Sequence, residues 1–234
     1  CERKWGYTTQ TVADWDHDGL PDLVVNSILG KVVWYRNIGT RKAPKLDAAQ
    51  PVEVEWPRGQ PALKWGWMRP EGKGLLTQWR TTPVVVDWNK DGLNDLIMLD
   101  HEGYLTHLPR ARRDGRLVLD APQRIFETQK PGYVRLNTRT AGGSGRRKLC
   151  VVDWDGDGAL DVLANSPNAE LWKNVGSREG MTRLINQGTL FKRNISSHTT
   201  SPTVVDWNGD KVPDLLVGAE DGFLYYGRNK RSQR

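Results

Sequence analysis

The chain has 234 residues, 37% of them hydrophobic, with 24 Gly and 13 Pro, a composition typical of a turn-rich globular protein. No apolar run approaches the roughly 18 residues that a membrane span needs, and two cysteines are too few for a disulfide scaffold. The net charge is +6, from 34 basic and 28 acidic residues. These numbers exclude a disordered chain, a helical membrane protein and a small disulfide-rich fold.

The first predicted elements are two strands that flank an acidic loop. In "TVADWDHDGLPDLVV" (11–25), apolar and β-branched residues stand on both sides of four aspartates. β-Branched runs favour strands, and the Gly and Pro between them mark a turn. A third apolar run, "KVVWYRN" (31–37), follows a short polar turn. The pattern predicts the order strand, acidic loop, strand, turn, strand.

The same pattern recurs three times along the chain. It reads "PVVVDWNKDGLNDLIML" (83–99), "LCVVDWDGDGALDVLA" (149–164) and "TVVDWNGDKVPDLLVG" (203–218), and a third apolar run follows each copy. The first aspartates of successive loops lie 73, 66 and 53 residues apart. Self-similarity of this kind indicates a repeat architecture. We expect repeat units at about 7–78, 79–145, 146–197 and 198–234, with the last unit incomplete.

Each acidic loop follows the pattern D-x-[DN]-x-D-G-x-x-D, whose positions we number from the first Asp. Side-chain oxygens at positions 1, 3, 5 and 9, with the main-chain carbonyl at position 7, would form an oxygen cage of the kind that Ca²⁺ prefers. The apolar residue at position 12 excludes an EF-hand, which needs a bidentate Glu there. Solvated acidic turns without metal are the alternative. The predicted calcium ligands are Asp14, Asp16, Asp18, Leu20, Asp22, Asp87, Asn89, Asp91, Leu93, Asp95, Asp153, Asp155, Asp157, Ala159, Asp161, Asp206, Asn208, Asp210, Val212 and Asp214.

The fourth loop differs from the other three at position 6, where Lys211 replaces Gly. Glycine permits the sharp backbone turn that aims the ligands inward. Lys211 must adopt this turn without glycine's freedom, and it adds a cation near the site. We therefore expect the fourth loop to bind Ca²⁺ most weakly of the four.

The four loops resemble the FG-GAP or VCBS repeats of calcium-binding β-propellers. In that family each repeat is a four-stranded blade, and the metal loop joins the innermost strand to the next one. The resemblance implies an all-β propeller with up to four structural Ca²⁺ ions. Because propeller blades must close around an axis, we expect this chain to be the C-terminal part of a propeller of about six to eight blades, completed by the remaining blades of a longer chain. A self-closed four-bladed ring is the alternative.

The charge outside the loops points to an anionic partner. Fourteen of the 28 acidic residues are loop aspartates, so the rest of the chain carries a net charge of +20. No nucleic-acid-binding motif is present, so we expect an acidic polysaccharide rather than nucleic acid. Uronic-acid polymers occur outside cells, which predicts an extracellular, periplasmic or cell-surface location. A solvated basic surface without a specific partner is the alternative.

The strand order predicts a second set of candidate residues, opposite the acidic loops. If strand one runs toward the loop and strand two away from it, the turn after strand two and the segment before strand one share the other end of the sheet. The predicted catalytic residues at that end are Tyr7, Arg80, His101 and His198. The predicted substrate-binding residues are Trp79, Arg146 and Arg147, with Trp65 and Trp67 of the segment "LKWGWMRP". Turn capping and a local hydrophobic plug are the alternatives for these residues.

The resemblance extends to propeller polysaccharide lyases of the ulvan-lyase kind and to related rhamnosidases. It implies a secreted polysaccharide lyase or glycoside hydrolase that acts on a uronic-acid-containing substrate. β-Elimination needs a cation on the uronate carboxylate, a base for the C5 proton and an acid for the leaving oxygen, and Arg, His and Tyr can supply these. A non-catalytic carbohydrate-binding or adhesion module is one alternative, and a structural fragment whose active face needs other blades is another.

Overall fold

Apolar and β-branched runs on both sides of each acidic loop form antiparallel strands. A computed structural model of the chain describes residues 8–62, 71–138, 146–195 and 200–233. In chain order the strands are β1 (Thr9–Ala13), β2 (Asp22–Asn26), β3 (Val32–Tyr35), β4 (Gln50–Pro51), β5 (Val84–Val86), β6 (Asp95–Leu99), β7 (Leu105–Leu108), β8 (Arg110–Arg113), β9 (Arg116–Leu119), β10 (Phe126–Glu127), β11 (Leu149–Val152), β12 (Asp161–Asn165), β13 (Ala169–Arg178), β14 (Met181–Thr189), β15 (Thr200–Val205), β16 (Asp214–Ala219) and β17 (Leu224–Gly227), followed by a 3-10 turn at Lys230–Gln233.

The expectation of an all-β fold is confirmed. The described ranges contain strands and one short 3-10 turn, and they hold no helix long and apolar enough to cross a membrane. Each acidic loop joins two antiparallel strands, and a third antiparallel strand follows in all four repeats. The arrangement of these sheets as blades around a common axis stays a prediction.

The chain divides into two compact units, the first of which contains Cys1–Ile125 and Arg135–Arg146. Its strands form a four-stranded sheet in the order β1-β2-β3-β4, a three-stranded sheet β5-β6-β7, and the separate hairpin β8-β9. In the first sheet Val12 pairs with Leu23 and Val24 with Trp34. The first sheet therefore has the four strands that the resemblance implies for one blade.

The second unit contains Phe126–Val134 and Arg147–Arg234. Its strands form a five-stranded sheet in the order β10-β14-β13-β12-β11 and a three-stranded sheet β15-β16-β17. β10 joins the five-stranded sheet by a parallel pairing with β14, although its sequence lies in the expected second repeat unit. The sequence did not indicate the long β13–β14 hairpin, whose turn places Glu179 and Gly180 at positive φ.

Each unit has its own hydrophobic core. In the first unit Trp15, Val24, Leu96 and Leu108 are among the buried residues of one cluster. In the second unit the cluster includes Leu163 and Leu215, and Cys150 packs against it. Burial raises the pKa of the Cys150 thiol to about 11, in keeping with a packing role for this residue.

The tryptophans at position 2 of the acidic loops differ in burial. Trp15 belongs to the core of the first unit and is 3% exposed. Trp154 packs against the core of the second unit, whereas Trp207 is 61% exposed. The tryptophan at this position is therefore a core residue in the first repeat, packs against the core in the third, and is open to solvent in the fourth.

Candidate functional site

The first aspartate of each acidic loop caps the backbone of its own loop. Asp14 accepts hydrogen bonds from the backbone N–H groups of Asp18 and Gly19, both at 3.0 Å. The equivalent Asp87 accepts from Asp91 at 3.1 Å and from Gly92 at 2.9 Å. Asp153 repeats this arrangement, and Asp206 accepts from the N–H groups of Gly209 and Lys211. The carboxylates thus shape the loop through local bonds, as short acidic side chains do in turns.

The aspartate at position 5 fixes the next turn of the loop in the same way. Asp18 accepts a hydrogen bond from the backbone N–H of Leu20 at 2.9 Å, and Asp157 accepts one from Ala159 at 2.9 Å. These N–H groups lower the pKa of both carboxyls, and a basic side chain beside each adds to the effect. Both carboxylates are exposed and ionised, as the ligands of a cation must be.

The aspartate at position 9 has a second role that the sequence did not indicate. All four of these residues are buried, and one oxygen of each accepts a hydrogen bond, at 2.7–2.8 Å, from a backbone N–H that lies in the third strand or two residues after its end. In the first three loops the other oxygen accepts the N–H of the position-2 tryptophan. Asp22, for example, joins Trp15 to Asn37. Each of these carboxylates therefore staples its loop to the third strand, whatever else it binds.

Two loops gather three carboxylates at the separation that a metal ion needs. Oxygens of Asp14, Asp16 and Asp18 lie within 4.8 Å of one another, and oxygens of Asp153, Asp155 and Asp161 do the same. The donor set is oxygen only, which suits Ca²⁺. Burial, together with neighbouring carboxylates, raises the pKa of Asp16 and of Asp161. A bound cation would relieve this repulsion, so the residues fit the predicted ion.

A basic side chain from the third strand reaches into three of the four loops. Arg36 pairs with Asp16 at 2.7 Å and with Asp18 at 2.9 Å. Lys173 pairs with Asp155 and Asp157 in the third loop, and Arg228 lies 3.7 Å from Asp210 in the fourth. Pro109 occupies this position in the second repeat. In each repeat this residue comes directly before the one whose backbone N–H bonds to the position-9 aspartate. Its contact with the loop depends on the strand register, which the sequence pattern does not give.

Two positions in each loop have a left-handed backbone. At position 6, Gly19, Gly92 and Gly158 have φ values of 86–88°, and Lys211 has a φ of 65°. At position 4, His17 and Lys90 have φ values of 62°, and Gly156 and Gly209 have values of 77–78°. The predicted turn at position 6 is thus present in all four loops, and the requirement at position 4 was missed because two of its residues are not glycine.

The turns opposite the acidic loops come together in the first unit. Asn26, after β2, donates from its side chain to the backbone oxygens of Gln78 and Thr81 at 3.2 and 2.9 Å. Gln78 is fully buried and accepts a hydrogen bond from the side chain of Asn137 at 2.7 Å. The backbone N–H of Asn137 donates in turn to Gly103. The structure therefore brings the segment with Trp79 and Arg80 next to the turn that carries His101, as the strand order predicts.

The predicted residues at this end differ in their surroundings. Arg80 is buried at a φ of 59°, with its guanidinium 4.6 Å from the ring centre of Trp79. His101 is half-buried in the turn 100–104. In the second unit Arg147 donates to the backbone oxygen of Asn165 at 3.0 Å, and burial lowers its pKa. Arg146, of the first unit, is half-buried at a φ of 43°. The predicted residues Tyr7, Trp65, Trp67 and His198 lie outside the described residues.

A stacked group around Tyr104 was missed by the sequence analysis. Two guanidiniums lie over the Tyr104 ring, that of Arg124 at 3.9 Å and that of Arg135 at 5.0 Å from the ring centre. Arg124 also pairs with Asp100 at 2.6 Å and with Glu102 at 2.5 Å, on either side of His101 in the chain. Arg135 is exposed and donates from Nε to the backbone oxygen of Glu102. The two arginines are distant in sequence from the turn, and only the fold brings them to it.

Comparison with known proteins finds one family and a distant structural likeness. No curated protein matches the sequence. The solved structure of a lectin from Agrocybe aegerita that recognises non-reducing terminal N-acetylglucosamine is similar with a TM-score of 0.44 and 16% sequence identity, over 96% of this chain and 49% of that one. The chain thus spans about half the length of that protein. Residues 153–217, from the first aspartate of the third loop through the fourth loop, match the FG-GAP-like repeat family.

Proposed function

We propose that the chain is a calcium-stabilised part of a β-propeller that binds an acidic, uronic-acid-containing polysaccharide outside the cell. The observation that carries the proposal is the set of four acidic loops with one common hydrogen-bond scheme, two of which gather three carboxylates within 4.8 Å. The match to the FG-GAP-like repeat over residues 153–217 supports it.

Calcium would be held by the loop oxygens at positions 1, 3, 5 and 9, with the carbonyl at position 7. When bound, the ion would supply a fixed positive charge that offsets the repulsion among the carboxylates. In the first loop Asp14, Asp16 and Asp18 would approach it, and Asp22 would do so while it keeps its bonds to Trp15 and Asn37. The ion would then stabilise the connection between the first two strands of each repeat.

The polysaccharide partner follows from charge and from exposed guanidinium groups. Outside the loops the chain carries a net charge of +20. Arg135 is exposed beside the Tyr104 ring, and its guanidinium can pair with a carboxylate through two hydrogen bonds. A uronic-acid polymer offers both sugar rings and carboxylates.

Two measurements test this proposal on the full chain. The melting temperature is expected to rise with added Ca²⁺ and to fall with a chelator, since an ion that binds the folded state stabilises it. The calcium-bound protein is expected to be retained on polygalacturonate and to pass through a neutral galactan. An unchanged melting temperature would refute the calcium sites, and equal retention on both polymers would refute the acidic partner.

Cleavage of the polymer is a second candidate function, favoured by the surroundings of His101. Its turn also carries Tyr104, whose ring two guanidiniums contact, so a general base or acid and a carboxylate-binding cation belong to the same end of the sheet. The base would take the C5 proton, the C4–O bond would break, and the leaving oxygen would be protonated. Ultraviolet absorbance of the unsaturated product, lost in His101→Ala or His198→Ala, would support this activity. Its absence from the wild-type protein leaves binding as the function.

A further inference from the structure

The first unit contains a cavity of about 430 Å³ between the outer edge of the first sheet and the hairpin β8–β9. Its walls come from β3, from β4 with the residues that follow it, and from β9. Backbone bonds fix these walls, because Val52 donates to Val32 and Glu55 donates to Leu119. The volume is in the range of sites that hold small ligands, and the cavity lies on the side of the first acidic loop.

One wall of the cavity combines an aromatic ring with an amide. Trp34 of β3 and Gln50 of β4 are directly opposite each other in the antiparallel pair, so their side chains lie on the same face of the sheet. Trp34 is half-buried and Gln50 is exposed. A half-buried ring offers an apolar face to a flat ligand, and the amide can both donate and accept hydrogen bonds.

The floor of the cavity is a buried arginine. The Arg110 guanidinium lies 3.8 Å from the ring centre of Trp15 and donates from Nη2 to the Trp15 backbone oxygen at 2.8 Å. Its Nε is buried and makes no hydrogen bond, and its guanidinium joins no ion pair among the residues that the structure describes. Burial lowers the pKa of Arg110 to about 10, although the carboxylates of Asp16 and Asp95 act in the opposite direction. A buried cation without an ion pair gains from a further negative group that reaches it.

An adjoining cavity of about 470 Å³ extends the site along the hairpin. It shares Glu55 and Val118 with the first cavity and adds Arg113, Asp114 and Arg116. Two of these charges are already neutralised, since Glu55 pairs with Lys73 and Arg113 pairs with Asp120, both at 2.7 Å. Arg116 is exposed and joins no ion pair within the described ranges. We call the two cavities together the hairpin groove, whose lining includes Trp34, Gln50, Glu53, Arg110, Asp114 and Arg116.

We propose that the hairpin groove binds an acidic oligosaccharide, with one sugar ring on Trp34, its hydroxyls on Gln50 and Glu53, and carboxylates of the chain directed toward Arg110 and Arg116. The class of ligand rests on the proposed function, and the location does not. The Trp34 ring can pack on the face of a sugar, and Gln50 and Glu53 can hydrogen-bond its hydroxyls, so the lining suits a sugar chain. The site is separate from the turns that carry His101.

Calorimetry on the full chain with Ca²⁺ and a short galacturonate oligosaccharide tests the proposal. Arg116→Gln and Gln50→Ala change exposed side chains and are expected to preserve folding. Loss of a charge-assisted hydrogen bond in Arg116→Gln should raise the dissociation constant roughly tenfold. The matched control is Arg112→Gln, which removes the same charge from the same hairpin at an exposed residue outside both cavities. Its dissociation constant should stay within about twofold of wild type.

The possible results separate this site from the proposed function. Equal weakening in Arg112→Gln and Arg116→Gln would overturn the groove, because binding would then follow net charge alone. Binding that is lost in Arg135→Gln but kept in both groove variants would also overturn it, while the proposed function would stand. No binding by the wild-type protein would refute both. Tighter binding of a short oligonucleotide, weakened by Arg116→Gln, would overturn the class of ligand.

Discussion

Lys211 adopts a backbone conformation that belongs to glycine at the equivalent position of the other three loops. Its φ of 65° is in the left-handed region, and the equivalent Gly19, Gly92 and Gly158 have φ values of 86–88°. A Cβ built on each of these three glycines would meet no atom within 4 Å. The cost of a side chain at position 6 is therefore conformational strain of the backbone rather than a clash.

We expect Lys211→Gly to stabilise the protein by about 1 kcal/mol, because left-handed φ values cost a non-glycine residue roughly that much. The same change should also strengthen Ca²⁺ binding by the fourth loop, since it removes a cation beside the site. Calcium titration followed by thermal unfolding measures both effects. The matched control, Gly158→Lys in the third loop, should lower the free energy of unfolding by a similar amount. Stability unchanged in both variants would contradict the assignment of strain to this position.

At the scale of the elements, each repeat is held by a carboxylate that acts on two strands at once. Asp22 is 1% exposed and accepts backbone N–H groups from Trp15, in the loop, and from Asn37, after β3. Asp16 of the same loop is more open, and its partner is the side chain of Arg36. Buried hydrogen-bonded carboxylates contribute to folding without a metal, whereas the open ones oppose it through mutual repulsion. The two kinds of aspartate therefore differ in their dependence on calcium.

The comparison of Asp22→Asn with Asp16→Asn tests this difference. Asn at position 22 would place an amide NH₂ against a backbone N–H, so we expect a loss of about 1–3 kcal/mol with or without Ca²⁺. Asn is the natural residue at position 3 in the second and fourth loops, so Asp16→Asn should leave the metal-free protein intact and weaken only its stabilisation by Ca²⁺. Urea unfolding of both variants, each in calcium and in chelator, gives the four free energies of unfolding that the comparison needs. An Asp22→Asn variant that is destabilised only in calcium would show that Asp22 acts as a calcium ligand and that its hydrogen bonds to the backbone do not stabilise the fold.

For the whole molecule, the sequence predicted what depends on local pattern. The β-branched runs and the spacing of Asp14, Asp87, Asp153 and Asp206 were sufficient for the strands, the loops and their order. The same patterns did not predict the side-chain contacts that depend on which residues pair across neighbouring strands. The reach of Arg36 and Lys173 into the loops is one such case.

Features made by distant segments were also missed. The stacking of Arg124 and Arg135 on Tyr104 joins residues 20 and 31 positions away from that ring. The hairpin groove likewise needs β3 and β9 side by side, and nothing in the local pattern of either strand indicates it. By contrast, the sequence was sufficient to place His101 and Arg80 at the same end of the sheets. That prediction needed only the directions of neighbouring strands, and these alternate when successive strands are antiparallel.

Calcium should couple to polysaccharide binding through the charge of the whole molecule. Four bound ions would raise the formal charge from +6 to +14, and long-range attraction to a polyanion grows with that charge and is screened by salt. We expect binding of polygalacturonate to be tighter in Ca²⁺ than in chelator, and to weaken as sodium chloride is raised from about 0.05 to 0.5 M, with a steeper dependence in the calcium-bound protein. Calorimetry at several salt concentrations measures both trends, with a neutral galactan as control. Binding that is indifferent to salt in both states would mean that the basic surface is solvated without a partner, and the affinity would then have to come from uncharged contacts alone.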